Sequence, residues 1–460
     1  MNNIILLDRD GKFLRYILEY QPNIDVCVLV CEYHYPQVSS LIKQHKSRIT
    51  HVLDYMNLPA LKDVESIDYA LIAKMKHIQI DIETMLHRIM LNNPLAKDIY
   101  HQHLSFFSHI FSTQKIDCVI CAEMLLGTPN HLVPFGLAKM LNIPSYTLLG
   151  INDIIFTHNY NTDIFLSHKK CNVSILERNL FYDYITYGDT SSTLKSRIRH
   201  FVRKIGGQIL VEFIVHLKKF NFTSDKLGIP YNFFTKFASF LKYKKMLAYY
   251  KKHSTIASFE EKFIYYSLHL EPEAAIIGRT VFESQLTAIR MLSKALPKGW
   301  KLYVKEHPHQ FMLNDELTTY FMHNIEFFKN IEFYKQIQNV PNTVLLSLEL
   351  PSKSILPKCQ AVASFDGTIT LESINFKKPA ILFNPNPSPY KYLANTLPIQ
   401  SYKDVQIAVQ KIQEGYGTHI EPKAEMEKLA RYVLDSTQPS FYQDTFLAMK
   451  EHALSFAKDK

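Results

Sequence analysis

Cysteine is scarce. Six residues in 460, at Cys27, Cys31, Cys118, Cys121, Cys171 and Cys359, are too few and too dispersed for a disulfide scaffold, and a reducing compartment is expected. Cys118 and Cys121 form a C-x-x-C, yet no second Cys or His pair at zinc spacing accompanies it, and the apolar run Ile116 to Cys121 reads as a strand core. Uncharged apolar runs of the roughly 20 residues a membrane helix needs are absent. The N-terminus turns acidic at Asp8 directly after an apolar stretch, which is not the pattern of a signal peptide. With only 13 Gly and no repeat or low-complexity segment, collagen-like and disordered classes are excluded. What is there, 47% hydrophobic and 13% aromatic residues over 460 positions, suits two domains with additions.

Charge is modest in total and uneven in place. The net +9 conceals a segment, residues 195 to 252, with fourteen Lys and Arg against Glu212 and Asp225, a local +12 that leaves −3 for the rest. Ile198, Val202, Ile205, Ile209, Phe213, Leu217 and Phe220 recur at helical steps there, and Phe233, Phe234, Phe237 and Phe240 follow among lysines. Basic amphipathic helices with aromatics suit an anionic membrane surface, with a solvated helical insertion as the plainer alternative; nucleic acid is not expected.

Strands are expected at Ile4 to Leu7, Val26 to Val30, Cys118 to Cys121 and Ser145 to Leu149, with a helix over Pro134 to Leu141. A second α/β rhythm runs through strands at Phe263 to Ser267, Lys301 to Lys305, Ala361 to Phe365 and Pro379 to Phe383, with helices at Val281 to Ala295 and Thr368 to Asn375. Residues 420 to 455 read as helical to the end. The expected fold is α/β of the GT-B kind: two Rossmann-like domains with a central cleft, a basic helical insertion and a closing C-terminal helix. The divisions are 1–175 (acceptor domain), 176–258 (insertion), 259–415 (nucleotide-sugar domain) and 416–460 (terminal helices).

Chemistry is expected beyond the carboxyl ends of these strands, where doubly wound sheets hold ligands. Glu123 follows one of them. Lys305, Glu306, His307 and Pro308 follow another, and Lys305 with His307 makes a credible phosphate site. In Asp366-Gly367-Thr368, Gly367 permits a tight turn and Thr368 opens a helix, a second anion feature, with Glu372 one turn on toward a ribose. Glu271 and Glu273 flank Pro272 in an acidic corner suited to a nucleophile or base, although Pro272 and Glu273 equally suit the first turn of a helix. Asp8-Arg9-Asp10 is the one D-x-D-like pattern near a strand end.

Taken in order, Leu268-His269-Leu270-Glu271-Pro272-Glu273, Gln285, Leu296-Pro297, Tyr303-Val304-Lys305-Glu306-His307-Pro308, Gly367-Thr368 and Glu372 resemble the bacterial capsule-polysaccharide synthesis family over roughly residues 260 to 385. The resemblance implies a GT-B glycosyltransferase that moves an ulosonic acid, Kdo or a sialic-acid-like sugar, from a CMP donor to a surface glycan or lipid-linked glycan. It implies donor contacts at Lys305, His307, Pro308, Gly367, Thr368, Glu372, Arg279 and Gln285, with Glu273, Glu123 and Glu271 as catalytic candidates. No cofactor and no metal is expected. Retaining β-Kdo transferases that resemble this chain carry Asp as the sugar-accepting nucleophile, and the matching position here is Glu273. Implied partners are the anionic inner face of the bacterial inner membrane, reached through residues 195–252, and other capsule assembly enzymes. A UDP-sugar-using transferase or epimerase-like enzyme, and a non-catalytic glycan-binding subunit, are the alternatives.

Overall fold

Runs such as Ile4–Leu7, Val26–Val30 and Cys118–Cys121 carry no polar face to turn toward water, so they are stable only as central strands covered on both sides. That is how they fold. The computed structural model describes residues 1–32, 35–54, 68–89, 96–125, 127–151, 153–168, 173–176, 233–271, 276, 282–311, 328–417 and 419–458.

The first sheet is built on β1 (Asn3–Leu7), β2 (Asp25–Cys31), β3 (Ile49–Asp54), β4 (Cys118–Cys121) and β5 (Ser145–Ile151), in the order β3-β2-β1-β4-β5, all parallel. This is a doubly wound order whose direction reverses between β1 and β4. Antiparallel additions follow at β6 (Ile154–Asn159) and β7 (Ile164–Phe165). The second sheet holds β8 (Phe263–Ser267), β9 (Lys301–Lys305), β10 (Thr343–Leu346), β11 (Ala361–Ser364), β12 (Ala380–Leu382) and β13 (Thr396–Pro398). Its order is β10-β9-β8-β11-β12-β13, all parallel, reversing between β8 and β11. Two Rossmann-like domains, the GT-B pair, are therefore present.

Several strand ends shift by one or two residues from the sequence reading, and three differences are larger. The helix expected from Pro134 begins at Pro129 and runs to Met140, because Pro129 takes the first helical position, where its missing N–H costs nothing, and Pro134 is tolerated inside. The helix expected from Val281 is described from Gln285 to Ala295, where the Ser284 hydroxyl accepts the Thr287 amide as its cap, while Val281 lies outside the described residues. The largest correction concerns the chain end. Between helices Pro422–Ala430 and Phe441–Lys458, Val433–Asp435 forms β14, antiparallel to β6, so the chain returns to the first sheet. Three residues are too few to show a strand period, and Tyr442 and Phe446 then fix the last helix against Phe13 and Tyr16.

One apolar cluster joins the halves: Leu149, Phe156 and Phe165 from the first, Leu371, Ile374 and Leu382 from the second, and Leu429 and Val433 from the returning segment. Each such side chain contributes about 1.5–3 kcal/mol by leaving water. Of the basic insertion, helix Phe233–His253 is described, while the periodic stretch Ile198 to Phe220 lies outside the described residues.

Candidate functional site

At the second sheet the carboxyl ends of β8, β9 and β11 bring one set of groups together. Lys305 closes β9 in register with Ser267 of β8 and is 2% exposed. Among the described residues its amine has neither a hydrogen bond nor an ion pair. Burial pulls its pKa down, and the charges of Glu306 and Glu372 only partly restore it. Beside it, β11 ends in Ser364, and the Gly367 amide donates to the Ser364 hydroxyl at 3.2 Å. A Cβ on Gly367 would stand 2.6 Å from that oxygen, so any other residue here requires the Ser364 hydroxyl to shift. Thr368 stands at the start of helix Ile369–Asn375 without a side-chain cap bond, and its hydroxyl donates to Glu372 at 3.4 Å. Burial raises the Glu372 pKa, against Thr368, Lys353 and Lys305, which favour the carboxylate. Lys305, Gly367, Thr368 and Glu372, distant in sequence, thus share one locality.

Behind them lies a buried polar network. Gln285 accepts the His269 amide at 2.7 Å and donates both to the His269 carbonyl at 3.3 Å and to Glu271. Both ends of its amide are engaged inside the protein. Gln310 accepts the Glu271 amide at 2.9 Å and donates to the Glu271 carbonyl at 2.8 Å. Burial raises the Glu271 pKa, while Lys329 and the Gln285 bond counteract the rise. Glu306 and Lys329, both fully buried, pair at 2.9 Å, and Tyr334 donates to Glu306 at 2.7 Å. The His307 amide also donates to Glu306 at 2.7 Å, which anchors the turn opened by Pro308. Glu273 and Arg279 lie outside the described residues, as does the Pro308 side chain.

The first sheet presents a different edge. Glu123 accepts the Arg9 amide at 2.9 Å across the β1/β4 reversal, and Arg9 pairs with Glu32 at 2.8 Å. Asp8 is buried and accepts the Leu14 amide at 2.7 Å, while Asp10 pairs with Lys12 at 2.7 Å, so both acids of the D-x-D-like pattern serve the start of helix Lys12–Tyr20. Burial, with Asp10 and Glu123 adding to it, pushes the Asp8 carboxyl up to about 7. Cys118 and Cys121 are buried within β4, as the strand reading expected. The two edges meet at Met85, which packs against Met124, next to Glu123, and Phe328, next to Lys329.

The sequence reading missed Lys329, Gln310 and Tyr334. None lies in a recognisable pattern, and only the fold brings them to Glu306. The His269 side chain was passed over within Leu268-His269-Leu270, although its place two residues beyond a strand was the available signal.

No known family profile matches the chain, and no curated protein matches it. Solved structures do. UDP-GlcNAc 2-epimerase from Neisseria meningitidis, bound to UDP-GlcNAc, is 12% identical, with 99% of this chain and 100% of that one covered and a TM-score of 0.26. KpsC of Thermosulfurimonas dismutans, a beta Kdo 2,7 transferase, is 8% identical over 84% and 97%, with a TM-score of 0.31. Anabaena Alr3699/HepE, in complex with UDP and glucose, is 9% identical over 100% of each chain at 0.27.

Proposed function

We propose that this chain is a glycosyltransferase that takes a CMP-activated acidic sugar as donor, with the phosphate at the second sheet edge. One observation carries the reading: Lys305, 2% exposed at the end of β9, has an amine with no hydrogen bond or ion pair among the described residues. Burying an ammonium that no group contacts directly is costly, since Glu306 and Glu372 act on it only through space, and a bound phosphate would supply direct hydrogen bonds. The Thr368 hydroxyl is its neighbour in this reading, with His307 at the next turn offsetting charge on the leaving group. Helix Ile369–Asn375 has only seven residues, so its dipole adds little and the weight falls on Lys305. The acidic sugar comes from the ordered motifs from Leu268 to Glu372.

For the transfer itself Glu273 is the proposed nucleophile of a retaining reaction. An inverted product would pass the role to Glu123, as base in a single displacement. The test is nucleotide release from a panel of CMP- and UDP-sugars with pure protein, with and without EDTA. Release from CMP-linked ulosonic acids supports the reading. Release from UDP-sugars alone would replace the donor with the UDP alternative, and release from none would leave a glycan-binding subunit.

The membrane is the proposed working surface. No helix among the described residues is long and apolar enough to cross one. Helix Phe233–His253 carries six lysines and no acid; Tyr243, Met246 and Tyr250 face inward while Leu241, Lys242, Lys245, Lys251 and Lys252 are exposed. Each lysine near an anionic leaflet is worth about 1 kcal/mol, reduced by salt. Cosedimentation with phosphatidylserine vesicles that falls with salt is expected, and equal pelleting with neutral vesicles would overturn it.

A further inference from the structure

The turn that follows β11 is held from outside itself. His269 lies two residues beyond β8 and is 9% exposed. Its Nε2 accepts the Asp366 amide at 3.3 Å, across the point where the order of the second sheet reverses. A ring nitrogen that accepts an N–H carries no proton, so the bond assigns the neutral Nδ1–H tautomer.

The backbone that carries the ring has little freedom to shift. The His269 amide donates to Gln285 at 2.7 Å, and its carbonyl accepts from Gln285 at 3.3 Å and from Lys329 at 2.5 Å. Lys329 is in turn fixed by both Glu306 oxygens, at 2.9 and 3.1 Å. The buried Glu306–Lys329 pair therefore serves a place as well as a charge balance: it sets His269, and His269 sets the turn. Within the turn the Asp366 amide is taken by His269 and the Gly367 amide by Ser364. Thr368 is left as the residue presented beside Glu372 and Lys305.

We propose that His269 is a positioning residue that holds the Asp366-Gly367-Thr368 turn in its anion-receiving conformation only while Nε2 is unprotonated. Proton uptake at Nε2 would set two N–H donors against each other, so the turn releases on acidification. Among the described residues, Glu271 acts on His269 through its charge, while the Lys329 amine, paired with Glu306, bonds the His269 carbonyl and Asp366 meets the ring through its backbone amide. The phosphate part of this inference rests on the nucleotide reading above; the clamp itself does not.

The experiment compares wild type with His269→Gln, whose side-chain oxygen keeps an acceptor near the Nε2 position, and His269→Phe, which keeps the ring without the acceptor. Hydrogen exchange, corrected for intrinsic rates, is followed over residues 364–371 from pH 5 to 8, and CMP affinity is measured by calorimetry. Losing one buried hydrogen bond is worth about tenfold, so exchange in the Phe variant should be about tenfold faster at pH 7.5, with the Gln variant within about threefold of wild type. Wild type should speed up on acidification and the Gln variant should not. CMP affinity should fall about tenfold in the Phe variant only. Equal protection in wild type and the Phe variant overturns the clamp. Should the Phe variant fail to fold, an acid response in His269→Gln equal to that of wild type overturns it as well. The predicted exchange pattern in a protein that does not bind CMP would sustain the clamp and refute the nucleotide reading.

Discussion

The two Rossmann-like sheets reverse their strand order in the same way, and each closes its reversal point with a hydrogen bond from a backbone amide to a side chain. In the first, the Arg9 amide meets the Glu123 carboxylate; in the second, the Asp366 amide meets the His269 imidazole. The topology is shared and the pairing differs. At the first edge the cations Arg9 and Lys12 are taken by Glu32 and Asp10, whereas at the second the Lys305 amine has neither a hydrogen bond nor an ion pair among the described residues. A doubly wound sheet offers a crevice; the residues in it choose the ligand.

The largest test of this contrast removes the support under the second crevice. Lys329→Met leaves Glu306 as an unpaired buried charge, and denaturant unfolding should show a loss of about 3–5 kcal/mol. Much of it should return in the Lys329→Met, Glu306→Gln double variant. A smaller loss, of about 2–5 kcal/mol, is expected from Leu429→Ala in the cluster that joins the halves. It should lower the stability of both domains together, and a calorimetric scan in which one domain alone moves would divide the molecule where the structure joins it.

Smaller again is Gly367→Ala, whose Cβ would press on the Ser364 hydroxyl. CMP affinity should drop about tenfold, the cost of displacing one turn, and the added Ser364→Ala change should restore part of it. The smallest effect lies in the first crevice. The Asp8 carboxyl is held at about 7 in the fold, against an ordinary value of 3.8, so the folded protein keeps a proton there that the unfolded chain has released. Stability should therefore fall as pH rises from about 4 to 7, by at most one proton's slope, and Asp8→Asn should remove that part of the fall.

Much of the fold was legible because buried parallel strands announce themselves as unbroken apolar runs between turn residues: each expected strand from Ile4–Leu7 to Pro379–Phe383 is present, with ends moved outward or inward by one or two residues. The short β14 was not legible, since Val433–Asp435 has no period of its own and becomes a strand only by pairing with β6. The grouping of Lys305 with Thr368 and Glu372 followed from their strand-end positions together with the family resemblance. Lys329 did not, because its role comes from Glu306, 23 residues away, and from nothing in its neighbours. Glu273 and Arg279 lie outside the described residues, so their place stays an expectation of the motif.

The central claim is that the second crevice holds the nucleotide phosphate through Lys305. Calorimetric titration of CMP into wild type, Lys305→Met and Asp8→Asn tests it most directly. Loss of a charge-assisted bond predicts an affinity about 100-fold lower in Lys305→Met, with thermal stability unchanged or raised by removal of the buried ammonium, and Asp8→Asn within about threefold of wild type. CMP affinity retained in a folded Lys305→Met protein, or lost in Asp8→Asn, would place the nucleotide elsewhere and contradict the account.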